Sequence, residues 1–279
     1  MHRVVLLAVA CLLHCRCTFA QVTAEILLDQ EQYIPGEDVE ISVRIVNRSG
    51  EALKLGTDPD WLTFAVEGNG RDAFVVKTGD VPVLGEFTLN SAKMATKTVQ
   101  ITPYFSFTQP GRYRIIATVR IPGWDKAVVS LPKTLQVGGG TELWEREFGM
   151  PRVGKEGAGP PDVRKYALVK STRLNQLAMY VRITDSSESF LYKVTAIGPL
   201  VSFSRPEAQL DQFNNLHVLW QNGARTYCYA AVNPDGQLFV RQTYEFEKVR
   251  PELAVLEETG RLHVIGGQRR KSAADIPPE

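Results

Sequence analysis

The sequence predicts an all-β chain in two parts, a β-sandwich followed by a second antiparallel β domain, and three observations carry this. In Arg112–Arg120, directly after Gln109-Pro110-Gly111, residues Tyr113, Ile115, Ala117 and Val119 alternate with Arg112, Arg114, Thr118 and Arg120. A period of two with one apolar side marks an antiparallel strand with one face in water. Comparable short runs recur along the chain between turn residues. A stretch rich in Gly and Pro near residues 149–161 then separates two textures of β sequence.

Length and charge narrow the class. The chain has 279 residues, 44% of them hydrophobic, enough for two buried cores. A single early charge at Arg3, an apolar run from Val4 to Leu13 and the small-residue pattern Thr18-Phe19-Ala20 are the three regions of a secretory signal peptide, residues 1–20, cut after Ala20. The product is expected to be secreted, periplasmic or in the cell envelope. The apolar run is shorter than the roughly 20 residues a bilayer needs, so no transmembrane span is expected. Acylation at Cys11, after Ala10, is a second reading that matches the required motif less well. Of the 32 Lys and Arg, Arg3 and Arg16 leave with the peptide, so 30 face 31 acids. No concentrated basic field remains, which argues against nucleic acid as a partner. Of the four cysteines only Cys228 stays, so no disulfide within the chain can form.

The first domain, residues 21–138, opens with Val22, Ala24, Ile26 and Leu28 alternating with polar residues. A turn follows at Tyr33-Ile34-Pro35-Gly36-Glu37, and Val39, Ile41, Val43 and Ile45 alternate up to Asn47-Arg48-Ser49-Gly50. Further strands are expected at Leu62–Val66, Ala73–Val76, Glu86–Leu89, Thr98–Thr102 and, after Ile121-Pro122-Gly123-Trp124, at Ala127–Val137. Gly68-Asn69-Gly70 suits a tight hairpin. Trp61 and Trp124 are read as packing residues. The Pro-Gly turn before Tyr113 resembles the tyrosine corner of immunoglobulin-like sandwiches, with Ile115 in the place of the second disulfide cysteine. With its Pro-Gly-Glu turn and Asn-X-Ser-Gly exit, the domain also resembles intracellular-proteinase-inhibitor-like and related bacterial immunoglobulin-like domains. That resemblance implies a scaffold or, alternatively, protease inhibition through exposed loops, for which Gly79–Leu84 and Ser91–Ala95 are the candidates.

Residues 139–163 read as a Gly/Pro-rich linker in which Leu143, Trp144 and Phe148 form an amphipathic strap. The second domain, 164–270, holds strand-like runs at Tyr166–Lys170, Leu177–Thr184, Phe190–Ile197, Leu216–Gln221, Thr226–Val232 and Gln237–Phe246, before a tail at 271–279. Ala208–Asp211 with Leu216–Leu219 is echoed 46 residues later by Ala254–Glu257 with Leu262–Ile265. Units of about 40–46 residues with four strands resemble β-propeller blades. Only about two and a half units fit, whereas a closed ring needs about four or more. Three solutions remain: a partial propeller covered by the first domain, a small sandwich that imitates blades, or a homo-oligomer closing a ring as a multivalent lectin. The first two are preferred, since the third needs a symmetry that nothing in the sequence specifies.

No set of residues amounts to a catalytic, metal or cofactor signature. His217 and His263 occupy equivalent repeat positions and read as structural, since two imidazoles without a third ligand make a poor metal site. Cys228 lies in mid-strand, without the helix N-terminus that lowers a thiol pKa. Asp58-Pro59-Asp60, near Asp72, reads as a turn instead of a calcium loop. The densest mixture of aromatic and arginine residues, Arg225, Tyr227, Tyr229, Arg241 and Tyr244, is the candidate ligand surface, because rings offer flat apolar area and guanidiniums offer directed donors; it also suits the core of a blade-like domain, the preferred reading, since strand alternation buries half of any such set. The expectation is a non-enzymatic binding protein with a protein or glycan partner. Taken whole, the order of head, strap and tail is similar to uncharacterised secreted bacterial proteins, which implies no activity.

Overall fold

The computed structural model describes residues 21–69, 75–150, 162–256 and 260–277. The expected signal peptide, Asp72, Glu257 and residues 151–161 of the Gly/Pro-rich linker lie outside these residues. The first ten strands are β1 (Val22–Leu28), β2 (Gln32–Tyr33), β3 (Glu40–Asn47), β4 (Leu53–Leu55), β5 (Leu62–Asn69), β6 (Phe87–Leu89), β7 (Met94–Gln100), β8 (Gly111–Val119), β9 (Val128–Val129) and β10 (Lys133–Val137). One sheet runs β1-β3-β7. A second runs β2-β10-β8-β5 with β9 also on β8, and β4 pairs β6. All pairs are antiparallel except β2 with β10. Ile41, Val43 and Ile45 of the first sheet meet Tyr113, Ile115, Ala117 and Val119 of the second in one core, as strand alternation requires.

The Tyr113 hydroxyl donates to the Gln109 carbonyl at 2.7 Å, closing the corner across the Pro-Gly turn. Trp61 is buried and its indole N–H donates to the Val83 carbonyl at 2.9 Å. Three expected strands differ. Val75 and Val76 lie in no strand, and only Lys77 bridges to Phe105. The strand expected at Thr98–Thr102 is β7 and stops at Gln100, where the chain turns through Tyr104 N–H to Ile101 C=O. The run expected at Ala127–Val137 splits into β9 and β10, because Pro132 has no N–H to donate and the Ser130 hydroxyl takes the Ala117 N–H instead.

The remaining strands are β11 (Thr141–Met150), β12 (Asp162–Arg173), β13 (Gln176–Asp185), β14 (Leu191–Pro199), β15 (Glu207–Leu210), β16 (Leu216–Gln221), β17 (Thr226–Val232), β18 (Leu238–Glu245), β19 (Glu252–Val255), β20 (Leu262–Ile265) and β21 (Gln268–Arg270). Two antiparallel meanders, β11-β12-β13-β14 and β15-β16-β17-β18-β21, are followed by the hairpin β19-β20. The expected strap is therefore corrected to a strand, β11, on the edge of the first meander. Its apolar residues lack period two because a bulge between Glu142 and Trp144 inserts Leu143. Beyond the bulge Trp144 and Phe148 share the face that packs inward.

Alternation stacks these layers. Cys228, Ala230 and Val232 of β17 join Tyr166, Leu168, Met179 and Val181 between the two meanders. Tyr227, Tyr229 and Ala231 face the other way, under Leu253 of the hairpin. The outer face of the first meander, with Val169, Tyr180 and Val194, takes Ile34 from the N-terminal unit. Among the described residues the sheets form an open stack without a closed barrel.

The junction of the two units is polar at its centre. Glu37 is buried and accepts from the Ile34 N–H (3.1 Å), the Gln30 amide (3.0 Å) and the Tyr180 hydroxyl (3.2 Å), with Arg173 Nε at 3.4 Å. Burial outweighs these partners and holds its carboxyl above the usual range. Gly36 is required here: its φ is +78°, and a Cβ would fall 2.1 Å from Leu191 Cδ2.

Candidate functional site

The expected ligand surface is divided by the strand pattern. Tyr227 and Tyr229 are buried and Tyr244 half-buried in the cluster beneath β19-β20. Arg241 sits opposite Ala230, whose side chain faces the first meander, so it belongs to the other side of the sheet. Its Nε donates to the Ala274 carbonyl. Arg225 stands at the strand end and donates twice to the Phe246 carbonyl. The structure brings the three tyrosines together in an interior and leaves the two arginines apart from them.

The sharpest polar constellation is Asp211, His217 and Tyr229. The imidazole contacts the Tyr229 hydroxyl through Nδ1 (2.7 Å) and Asp211 Oδ2 through Nε2 (3.2 Å). Burial lowers the His217 pKa, with Asp211 opposing, so the ring is neutral. It then donates from Nε2–H to the carboxylate and accepts the tyrosine proton at Nδ1. Burial pushes the Tyr229 hydroxyl up to about 12. Asp211 also accepts from the Phe213 N–H, the Asn215 N–H and the Asn215 amide. Every group in the set is occupied by another, and its work is to lock the β15-β16 turn to β17. Cys228 is likewise unreactive, since burial pushes its thiol up to about 12. His263 lies at the corresponding place on β20, on the side away from Val264, which packs inward.

That locked turn is one of three gathered at a single end of the stacked meanders. Asp185 accepts from the Ser187 N–H and hydroxyl and from the Phe190 N–H. Asp211 repeats this for its own turn. Asn233 accepts from the Asp235 and Gln237 N–H groups. Short polar side chains that bond the backbone two residues on favour such turns. The turns are tied across the two sheets: Tyr166 hydroxyl to Asn214 C=O (3.1 Å), Arg164 to Pro234 C=O (3.1 Å) and Thr195 hydroxyl to Gly236 C=O (2.6 Å).

Two aromatic rings project from this end. Phe190 is 59% and Phe213 69% exposed. The backbone N–H of each is bonded to the aspartate of its own turn, at 2.6 Å for Phe190 and 2.9 Å for Phe213. Phe190 meets Tyr192 edge-on at 4.8 Å, and Arg164 lies over the Tyr192 ring at 4.2 Å. Glu188 holds a left-handed φ of +57°, a costly conformation for a glutamate, and it is kept there by ion pairs to Lys165 and Arg182. Sequence reasoning missed these residues. The usable signal is a phenylalanine inside a turn rich in Asp, Ser and Asn, where no strand face can bury it.

In the N-terminal unit, Val81 and Val83 of the 79–84 loop are buried, whereas Leu84 is 80% exposed. Ser91–Ala95 is half turn and half strand, since Met94 and Ala95 pair with β3. Asp58 accepts from the Asp60 N–H in a turn. Among the described residues no helix is long and apolar enough to cross a membrane.

No protein-family model matches the chain, and no curated protein matches it. Among solved structures, the chain is similar to the sporulation control protein Spo0M from Bacillus subtilis. That likeness has 10% identity and a TM-score of 0.33, covering 64% of this chain and 90% of that one.

Proposed function

We propose that this is an exported, non-enzymatic interaction protein that engages a protein partner through the turn end carrying Phe190 and Phe213. The observation that carries the reading is that each exposed ring hangs from a backbone N–H bonded to a turn aspartate. Apolar area held rigid before binding costs little ordering entropy when a partner covers it, which is how aromatic anchors work at interfaces. A protein is favoured over a glycan because a sugar also needs free directed donors beside the ring. Here Arg164 is already engaged with Asp162, Asp235 and the Pro234 carbonyl. The non-enzymatic part of the reading is supported by the mutual saturation of Asp211, His217 and Tyr229 and by the buried thiol of Cys228.

The test is binding of the protein and of a Phe190→Ala/Phe213→Ala double variant to immobilised protein and glycan arrays. Protein signals lost in the variant support the reading. Signals confined to glycans, or unchanged by the variant, contradict it.

A second reading, protease inhibition by the first domain, is favoured by one detail. Leu84 projects between the buried Val83 and the exposed Gly85, and the Val83 carbonyl is held by the Trp61 indole. A rigid exposed leucine suits proteases with an apolar primary pocket. Stoichiometric inhibition that Leu84→Gly abolishes is the expected result, and no inhibition of such proteases removes this reading.

A further inference from the structure

A small cavity opens at the end of the first meander away from the Phe190 turn. It lies beside the two-residue turn Leu174-Asn175 between β12 and β13, and Arg241 of β18 in the second meander completes its wall. Its volume is about 190 Å³, about six times the share of liquid volume that one water takes. Two small side chains make the hollow. Ala178 of β13 and Ala196 of β14 belong to the outer face on which Tyr180 and Val194 fill neighbouring positions. Leu174 and Pro199 add apolar wall.

Two arginines line this cavity, and each is held through its Nε alone. Arg173 pairs with Gln176 across the tight turn, and its Nε meets a Glu37 oxygen at 3.4 Å. Arg241 is half-buried, and its Nε donates to the Ala274 carbonyl. Among the described residues the Nη groups of neither guanidinium have an acceptor. Glu37, the one carboxylate among those residues in ion-pair range of either, already accepts from Ile34, Gln30 and Tyr180. Among the described residues no acid lines the cavity itself. Two like charges beside one hollow repel, and an anion between them relieves that repulsion while it accepts from the free N–H groups. The planar guanidinium fork matches the two oxygens of a carboxylate. A phosphate, with more oxygens and more charge, asks for further donors, and among the described residues no lysine, serine or threonine lines the site.

We propose that this cavity binds a small carboxylate with an apolar body, its oxygens held by Arg173 and Arg241 and its hydrocarbon end resting on Ala178, Ala196 and Pro199. The site lies outside the turn end that carries Phe190 and Phe213, so either can fail without the other.

The experiment titrates the full chain with 3-methylbutanoate in chloride buffer at neutral pH and follows the arginine Nε–H signals by NMR. Saturable shifts of the Arg173 and Arg241 signals, half-complete at about 1 mM acid or below, are expected. The methyl ester, which keeps the apolar body without the charge, should bind at least about tenfold more weakly, and so should inorganic phosphate. Arg241→Gln and Arg173→Gln should each weaken binding by about tenfold or more. Because Arg173 also meets Glu37, Ala196→Leu supplies an independent variant. It fills the hollow, leaves both arginines in place and should abolish binding at unchanged stability. Shifts that stay linear in acid concentration, or undiminished binding by Ala196→Leu, overturn the proposal. Phosphate binding as tightly as the acid would mean that charge alone selects the ligand, and equal binding of the ester would mean that the arginines take no part. Either result also overturns it.

Discussion

Tyr227, Tyr229 and Tyr244 lie on strands beneath the β19-β20 hairpin, whereas Phe190 and Phe213 lie on turns that bond their own backbone to aspartate. The chemistry of the rings is similar and their fates are opposite. On a strand, alternation hands every second ring to an interior whatever its polarity, and a tyrosine there needs a partner for its hydroxyl. Tyr229 finds one in His217. On a turn whose polar side chains are spent on the backbone, no layer is available to cover the ring. Aromatic density therefore marks the interior in this unit, and aromatic placement in turns marks the surface.

The comparison breaks first where burial is greatest. Tyr227→Ala should destabilise the protein by about 3–5 kcal/mol in chemical denaturation, as truncation of a buried aromatic does. A loss below about 1 kcal/mol would mean that the hairpin does not cover it. Next, Tyr229→Phe should cost about 1–3 kcal/mol, since it leaves the buried His217 Nδ1 without a donor. A neutral result would mean that water or another group reaches the ring.

Two titrating nodes sharpen the contrast between units. His217 is held below its ordinary 6.5, chiefly by burial, so the unfolded chain binds more protons and stability falls as pH drops below about 6.5. Glu37 is held above its ordinary 4.5, again chiefly by burial, so the folded chain binds more protons. Its contribution is complete below 4.5 and is lost as pH rises through its folded pKa. His217→Gln should flatten the loss of stability on the acid side, while Glu37→Gln should flatten the loss of stability as pH rises above 4.5. Urea denaturation at a series of pH values reads both slopes, each at most about 1.4 kcal/mol per pH unit. The smallest effect is expected at the rings in the turns: Phe213→Ala and Phe190→Ala should each shift stability by no more than about 0.5 kcal/mol.

Much of the strand pattern was legible because period two survives wherever one face is buried. Leu216–Gln221 and Thr226–Val232 coincide with β16 and β17 to the residue. β11 was not legible, because the bulge at Leu143 shifts the apolar period by one. The splitting of the last sandwich strand at Ser130 depends on a side-chain bond to Ala117, a partner 13 residues away. The candidate site was missed for a related reason. Phe190 and Phe213 are far apart in the chain, and it is the stacking of the two meanders, with Tyr166 of the first bonded to the Asn214 carbonyl beside Phe213, that brings their turns to one end.

Photo-crosslinking tests the central claim most directly. Benzoylphenylalanine placed singly at positions 190, 213 and 227 is irradiated in whole cultures of the producing cells, cells and medium together. The account predicts discrete protein adducts from 190 and 213 with a shared partner, and none from 227. Adducts from neither turn position, or the same adducts from all three, would contradict it.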